Sequence, residues 1–491
     1  AAVQTEAGGE KNLVMPSASC VANLNPLLEG YKEAAMLNPI YDPLYVIDVN
    51  ETRYYLADSY EVSEDGMQIT VKLKEGLKWH DGEAITADDM IFTMDVCSDT
   101  NNGAGGTNIV ILNDQPVKYE KVDDLTVKVT LPMASASYAD LLGGLTLIPE
   151  HVFEGNPSVV SAGEANMKGI GSGPYKVTEF KQDEYLLLEK YEDYYMGAPS
   201  IDKVTFRIIS DLSAQEVALM NGEVNFMELA NAPAVAKYEA DPNFTVVKYP
   251  EGRVNYLAVN KFCETVQDPK VVEAVFAALN RDEIIAGAYG DGMAESANSI
   301  FSNVNTFYDS SVEGYTQDVE KAKQLVKETG LDSKTLTLYF NSERVYMKES
   351  AQIIQQQLKN VGINLEVIPL ESAGFFEKVF GTDGDYEFYL NGYGAVGDPD
   401  QVVAGMYDGT WGVNLAVSDE VSQLWKDART VYTPEERAAI YKQIQIQTRD
   451  ELTCYPIAYP NYVFVTTSNI KGADTIKRTP VFEDYTKLTM E

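Results

Sequence analysis

Histidine is nearly absent. The 491 residues contain two, His80 and His151, and a site that grips zinc or nickel through several imidazoles cannot be assembled from them. Cysteine is almost as scarce: Cys20, Cys97, Cys263 and Cys454 lie far apart in the chain, too few for a disulfide framework and without the CxxC pairs of a zinc site. They are expected as inert buried thiols, with one bridge left open. Long apolar runs are missing too. Stretches such as Leu141–Ile148 and Val271–Leu279 are under ten residues, whereas a membrane-spanning helix needs roughly 20. Positive charge is short as well: 38 Lys and Arg stand against 75 Asp and Glu, a net charge of −37. Such a surface repels a nucleic-acid backbone or an anionic bilayer unless its sign reverses locally, so no nucleic-acid partner is expected.

Signatures of catalysis are lacking in the same way. Gly169, Gly171, Ser172 and Gly173 have the glycines of a phosphate loop without its lysine, and the third glycine comes too early for a dinucleotide fingerprint. A turn between domains accounts for them. No GxSxG elbow exists, and His80 lies in Trp79-His80-Asp81-Gly82, where turn chemistry explains it. Asp398 and Asp400 form a DxD without the downstream Gly and Glu of a calcium loop. The abundant acids leave one enzyme class open on composition, a hydrolase working with two carboxylates. No cofactor is expected.

What is present is an ordinary globular balance, 45% hydrophobic and 23% charged, and at ~150 residues per domain the length suggests about three domains. Tyrosine is abundant, with 31 copies, an amphipathic ring suited to gripping partly polar groups. The first third reads as short strands with a few helices. Gln68–Leu73 alternates apolar and polar; Thr86 and Asp89 cap a helix whose Met90, Ile91, Met94 and Cys97 share a face; residues 117–131 read as a hairpin turning at Asp123 and Asp124. From about residue 200 strands alternate with helices, an α/β pattern. Helices are expected after a Ser213/Glu216 capping box, and over 269–280, 318–329, 345–361 and 434–451, the last opened by Thr433, Pro434 and Glu436.

Against the acidic background one basic pair stands out. Arg344 and Lys348 are four residues apart at the start of the helix expected to end at Val361, which places both on one face near backbone N–H groups that favour anions. Cations there oppose the helix dipole unless an anion lies between them. A pair of solvated surface charges is the alternative.

The stretch "LADSYEVSEDGMQITVKLKEGLKWHDGEAITADDMIFTMD" (Leu56–Asp95) resembles the signature of family 5 extracellular solute-binding proteins, the peptide-, dipeptide- and nickel-type receptors of ABC importers. Further blocks resemble the family in its usual order: "GSGPYKV" from Gly171, "LEKYEDYYMGAP" from Leu188, "ALMNGEVNF" from Ala218, "DVEKAKQLVKETG" from Asp318, "IIQQQLKNVGINLEV" from Ile353, "GDPD" from Gly397 and "TPEERAAIYKQIQ" from Thr433. The resemblance implies an α/β, periplasmic-binding-protein-like fold of type II (cluster C), two-lobed and with an extra inserted domain. Residues 1–11 would be a tether, 12–40, 172–258 and 467–491 a discontinuous domain of the first lobe, 41–171 the inserted domain, and 259–466 the second lobe. It also implies a non-enzymatic receptor, a monomer, that closes on its ligand by hinge motion and delivers it to membrane permease subunits. Its place would be the extracellular face of the membrane, held by a lipidated upstream Cys, or the periplasm.

By the same resemblance Lys348, with Arg344 one turn away, falls where a basic residue takes a peptide's carboxylate. Asn391, Gly392, Tyr393 and Gly394 fall on the strand that pairs with an extended peptide backbone. Here the sequence departs from the family: Ala395 occupies the place of the acid that holds the ligand's amine, unless Asp398 or Asp400 substitutes for it. Phe375 or Phe376, and Trp411, are the candidate aromatic walls. The cargo implied is a peptide, with an oligosaccharide as the alternative and a metal chelate third.

Overall fold

Two units share the chain: Ala1–Ala230, Ala234–Lys248 and Val463–Glu491 belong to the first, Asn231–Pro233 and Tyr249–Tyr462 to the second. The structure is a computed structural model and describes residues 10–29, 35–47, 51–394, 396–407, 415, 417–475 and 484–491. The crossings at 248–249 and 462–463 fall inside the strands Phe244–Pro250 and Cys454–Thr467. Pro250 and Pro460 lie within a few residues of the crossings, yet each strand runs through its crossing unbroken.

In the first unit the strands that matter are β1 (Asn12–Ser17), β2 (Ala57–Val62), β3 (Gln68–Leu73), β4 (Lys118–Asp123), β5 (Thr126–Thr130), β6 (Tyr175–Lys181), β7 (Tyr185–Lys190) and β8 (Lys203–Ile208). They form two four-stranded sheets, ordered β2-β3-β5-β4 and β1-β8-β7-β6. In β3 the period-two pattern turns Ile69, Val71 and Leu73 inward. They meet helix α1 (Ala87–Ser98) in a core that also buries Trp79, Met90, Met94 and Cys97 completely. The capping box at its start is present as the sequence indicates: Thr86 Oγ1 accepts from Asp88 N at 3.3 Å and Asp89 Oδ2 from Thr86 N at 2.9 Å.

The Gly-rich turn is a close approach. A Cβ on Gly171 would stand 1.9 Å from the Ile40 carbonyl oxygen, a distance only glycine permits. The same turn clasps His80. Gly171 N donates to His80 Nδ1 at 3.2 Å, and His80 Nε2 faces the Gly173 carbonyl at 2.9 Å. His151 lies on Asp81 at 2.8 Å, so the two histidines, distant in sequence, sit at either side of one turn.

The second unit contains β9 (Arg253–Val259), α2 (Pro269–Ala278), α3 (Arg281–Ala288), α4 (Val319–Thr329), β10 (Thr335–Asn341), α5 (Val345–Asn360), β11 (Asn364–Leu370), α6 (Ser372–Phe380), β12 (Phe388–Gly394), α7 (Asp419–Thr430), α8 (Pro434–Asp450) and most of β13 (Cys454–Thr467). The sheet order is β13-β9-β12-β10-β11. β10 and β11 are parallel, with α5 as the crossover a parallel pair requires; β9 is antiparallel to β12 and β13. Alternation along β9 and β12 separates two cores. Leu257, Val259, Phe388 and Leu390 pack with α2 to α5 on one face. Val254, Tyr256, Tyr389 and Tyr393 pack with α6 to α8 on the other.

Two local expectations are corrected. The helix Leu212–Met220 is capped by Asp211, whose carboxylate accepts from Ala214 N at 2.8 Å, not by Ser213; Glu216 pairs with Lys237 instead. The helix from Pro269 stops at Ala278 because Asn280 caps a new one, α3, accepting from Glu283 N at 3.1 Å. The four cysteines are free thiols, and burial raises all four, Cys97 to about 11 and Cys454 to about 12, which leaves them unreactive near neutral pH. Among the described residues no helix is long and apolar enough to cross a membrane.

Candidate functional site

The end of β12 is where the second unit gathers polar groups. β9 lines one edge of the strand throughout, with Arg253 opposite Gly394, Asn255 opposite Gly392 and Tyr256 opposite Asn391. On the other edge β10 pairs only at Phe388 and Tyr389. Among the described residues no second strand pairs with Asn391–Gly394, and a strand paired on one side alone is a template for another.

Gly392 has a specific reason to be glycine. A Cβ there would lie 2.0 Å from Asn255 Oδ1 and 3.1 Å from Arg253 Nη2. The missing side chain is the space these two groups fill, and Arg253 Nη2 donates to the Gly392 carbonyl at 2.9 Å. From Asn255 a polar chain leads outward. Its Nδ2 donates to Tyr289 OH at 2.9 Å, the Tyr289 ring stacks on Tyr346 at 5.3 Å between centroids, and Arg344 Nη1 donates to Tyr346 OH at 3.2 Å. Tyr289 closes α3, while Arg344 and Tyr346 open α5. Glu251 Oε1 lies 3.9 Å from Arg253 Nε. Burial pushes the Glu251 carboxyl above the usual range, and the Arg253 and Arg344 charges pull it back.

The predicted residues divide into three groups. Arg344 and the backbone of Asn391–Gly394 belong to this cluster or adjoin it, and Lys348 is exposed one turn further along α5, without an ion pair among the described residues. A second group is committed to the interior. Phe375 is fully buried in the core beside α6, whereas Phe376 is 37% exposed. The Tyr393 ring is buried, and its hydroxyl donates to the Ile300 carbonyl at 2.6 Å. Asp398 is 8% exposed and held by the Arg437 guanidinium; the Asp400 side chain takes Arg429 Nε at 2.6 Å. Either acid would have to give up its arginine to hold a ligand's amine. The third group, Ala395 and Trp411, lies outside the described residues.

Arg253, Asn255, Tyr289, Tyr346 and Glu251 escaped the sequence reading. Arg253 and Asn255 carry a weak signal, two polar residues on one face of an otherwise apolar strand. The tyrosines carry none, because they converge from separate helices. Among the described residues no cluster of three or more His, Cys, Asp and Glu is placed to hold a metal.

Comparison with known proteins agrees with this architecture. CtaP of Listeria monocytogenes, an ABC transporter substrate binding protein, is 32% identical and superposes with a TM-score of 0.91, covering 98% of this chain and 99% of that one. AppA of Bacillus subtilis, an oligopeptide-binding protein solved with a nonapeptide, is 26% identical with a TM-score of 0.75, covering 98% and 99%. The dipeptide-binding protein of Escherichia coli (strain K12) is 27% identical over 499 residues, 94% of this chain and 92% of that protein. The mixed α/β fold is therefore that of the type II periplasmic binding proteins. Residues 51–414 match the model for "Bacterial extracellular solute-binding proteins, family 5 Middle", and the chain belongs to that family, the substrate-binding proteins of peptide-type ABC transporters.

Proposed function

We propose that this chain captures a peptide and hands it, chemically unchanged, to the permease of an ABC importer at the outer face of the membrane. The observation that carries the reading is the one-sided pairing of Asn391–Gly394 in the second unit. A strand edge recognises the repeating amide groups of an extended chain, which a sugar does not have. Arg344 and Lys348 supply two cations one helical turn apart in a protein of net charge −37, and so a place for the peptide's carboxylate. The peptide-binding relatives support the same cargo. On the family's pattern the receptor is a monomer, held by a lipid anchor, that closes by hinge motion around its ligand.

A thermal-shift screen tests the cargo. Peptides are expected to raise the melting temperature, since a ligand at a hundred times its Kd stabilises the folded protein by about 2.7 kcal/mol. Cello- or xylo-oligosaccharides are expected to leave it unchanged. Stabilisation by the sugars and by no peptide would overturn the proposal.

A further inference from the structure

The helix Leu212–Met220 of the first unit is apolar on both sides. Its inner side buries Gln215, Ala218 and Leu219, and Gln215 Nε2 seats it there by donating to the Ile209 carbonyl at 2.6 Å. On its outer side Leu212, Val217 and Met220 are 54%, 59% and 53% exposed. A surface helix ordinarily turns a charged face to water, and one that is apolar all round is ordinarily covered. Glu216 is the one ionisable group in the helix, and it is drawn aside: its Oε1 accepts from Lys237 Nζ at 2.5 Å and from Tyr238 OH at 3.3 Å. Charges at the rim are spent in the same way. Asp211 caps the helix by accepting from Ala214 N, and Glu223 lies 3.1 Å from Arg207 Nη1. The result is a small uncharged island on a protein of net charge −37. Scattered apolar side chains on a surface need no explanation, but three on one seated helix mark a contact face.

Charge and size decide what covers it. A bilayer takes helices whose polar face is rich in Lys and Arg, and this helix has neither. A second copy would bring a further charge of −37, and a net charge of that size keeps chains apart. Nor is the face large enough for a lasting dimer. A nine-residue helix, at ~1.5 Å per residue and ~10 Å across, covers roughly 150 Å², against about 800 Å² per partner in a stable interface. A contact that forms and dissolves with each delivery has the opposite requirement. We propose that Leu212, Val217 and Met220 are the apolar centre of a transient contact with an uncharged recess on the outer surface of a permease subunit. The inference rests on the delivery reading above and adds to it a surface through which delivery is made. Membrane proteins concentrate Lys and Arg in their cytoplasmic loops, which leaves the outer loops with few cations to pair with an acidic receptor. An uncharged face is the part of this chain that suits them.

In cells of the source organism deleted for this chain, the full chain is restored as wild type or as the triple variant Leu212→Gln, Val217→Gln and Met220→Gln. Uptake of a carbon-14-labelled random library of tri- to nonapeptides is followed. The wild type is expected to restore uptake above that of the deletion strain, and the triple variant to restore about ten-fold less. Purified, the two are expected to melt at the same temperature and to retain the same peptides, counted by mass spectrometry, because glutamine is a good helix former and the exchanged side chains lie outside the core. With the photo-crosslinker p-benzoylphenylalanine in place of Val217, the chain is expected to join to a permease subunit, identified by mass spectrometry. Wild-type uptake by the triple variant, or the absence of a permease adduct, overturns the docking face and leaves peptide capture standing. Loss of peptide retention in a triple variant that melts normally also overturns it, because the face then serves capture. A wild type that retains peptides but restores no uptake removes delivery and docking together, and one that retains none removes the peptide reading as well.

Discussion

Arg437→Met is expected to destabilise the second unit by about 3–5 kcal/mol, the cost of leaving a buried carboxylate without its cation. Arg437 is 5% exposed and Asp398 8%. The guanidinium spends itself on three elements at once. Nη2 donates to Asp398 Oδ1 at 2.8 Å and to Tyr441 OH at 2.9 Å, and Nε donates to the Ala428 carbonyl at 3.0 Å. Asp398 in turn accepts from Asp400 N at 3.0 Å and so caps the turn that follows β12. Methionine fills the volume but satisfies none of these acceptors. Urea unfolding at neutral pH, with hydrogen exchange followed across Asp419–Asp450, reads the loss. The double variant with Asp398→Asn should be less destabilised than the two single losses added together, because the first substitution already removes the orphaned charge. A loss below about 1 kcal/mol in the single variant would show that the pair is solvated and that the turn after β12 does not depend on it.

The second large effect is a pair of opposed titrations in the first unit. His80 is held neutral by geometry: Nδ1 faces the Gly171 N–H and must be unprotonated, while Nε2 donates to the Gly173 carbonyl. Desolvation pushes its pKa from 6.5 down to about 4. The unfolded chain therefore binds this proton more tightly. The contribution of His80 is complete above pH 6.5 and is lost as the pH falls to about 4, a difference of up to about 3 kcal/mol. Asp42 behaves the other way. It is 4% exposed, and burial raises it to about 7 although Tyr195 OH at 2.8 Å and Tyr194 OH at 2.9 Å both donate to it; Lys74 also lowers it and Asp484 raises it. The folded state prefers this carboxyl protonated. Its contribution is present below the unfolded value of 3.8 and is lost as the pH rises through 7, by up to about 4 kcal/mol.

Between pH 4 and 6.5 the two slopes nearly cancel, so each substitution unmasks the other. Relative to wild type, Asp42→Asn should gain stability steadily as the pH rises from about 4 to 7. His80→Gln should gain as the pH falls from about 6.5 to 4. Chemical denaturation of the three proteins across this range provides the differences, in which the remaining carboxylates cancel. If the Asp42→Asn difference is flat with pH, the carboxylate is ionised in the folded protein and the assignment of its buried environment fails.

Much of the local structure could be read along the chain. Alternation in Gln68–Leu73, the cap at Thr86 and Asp89, and the α/β rhythm after residue 200 all survive, because each depends on neighbours within a few residues. The cap at Asp211 in place of Ser213 and the helix break at Leu279 are not legible in the sequence, for the same reason in reverse. Asp211 and Ser213 are both good caps, and only the path of the backbone chooses between them. The basic pair at Arg344 and Lys348 was visible as spacing on one helix. Its neighbour Arg253 was not, although it lies in the same cluster.

The family and the four-residue spacing of Arg344 and Lys348 at the start of α5 are legible in the sequence alone. These follow from short-range periodicity and from motifs that keep their order. Tertiary structure alone decided that Asp398 and Asp400 are held by Arg437 and Arg429, that Phe375 is interior, that Arg253 and Asn255 fill the space beside the bare Cα of Gly392, and that Asn255 is linked through Tyr289 to Tyr346. Those groups come from strands and helices separated by scores of residues. Which acid finds a cation, and which ring finds the core, is set by how these strands and helices pack on one another, and no local stretch of chain carries that information.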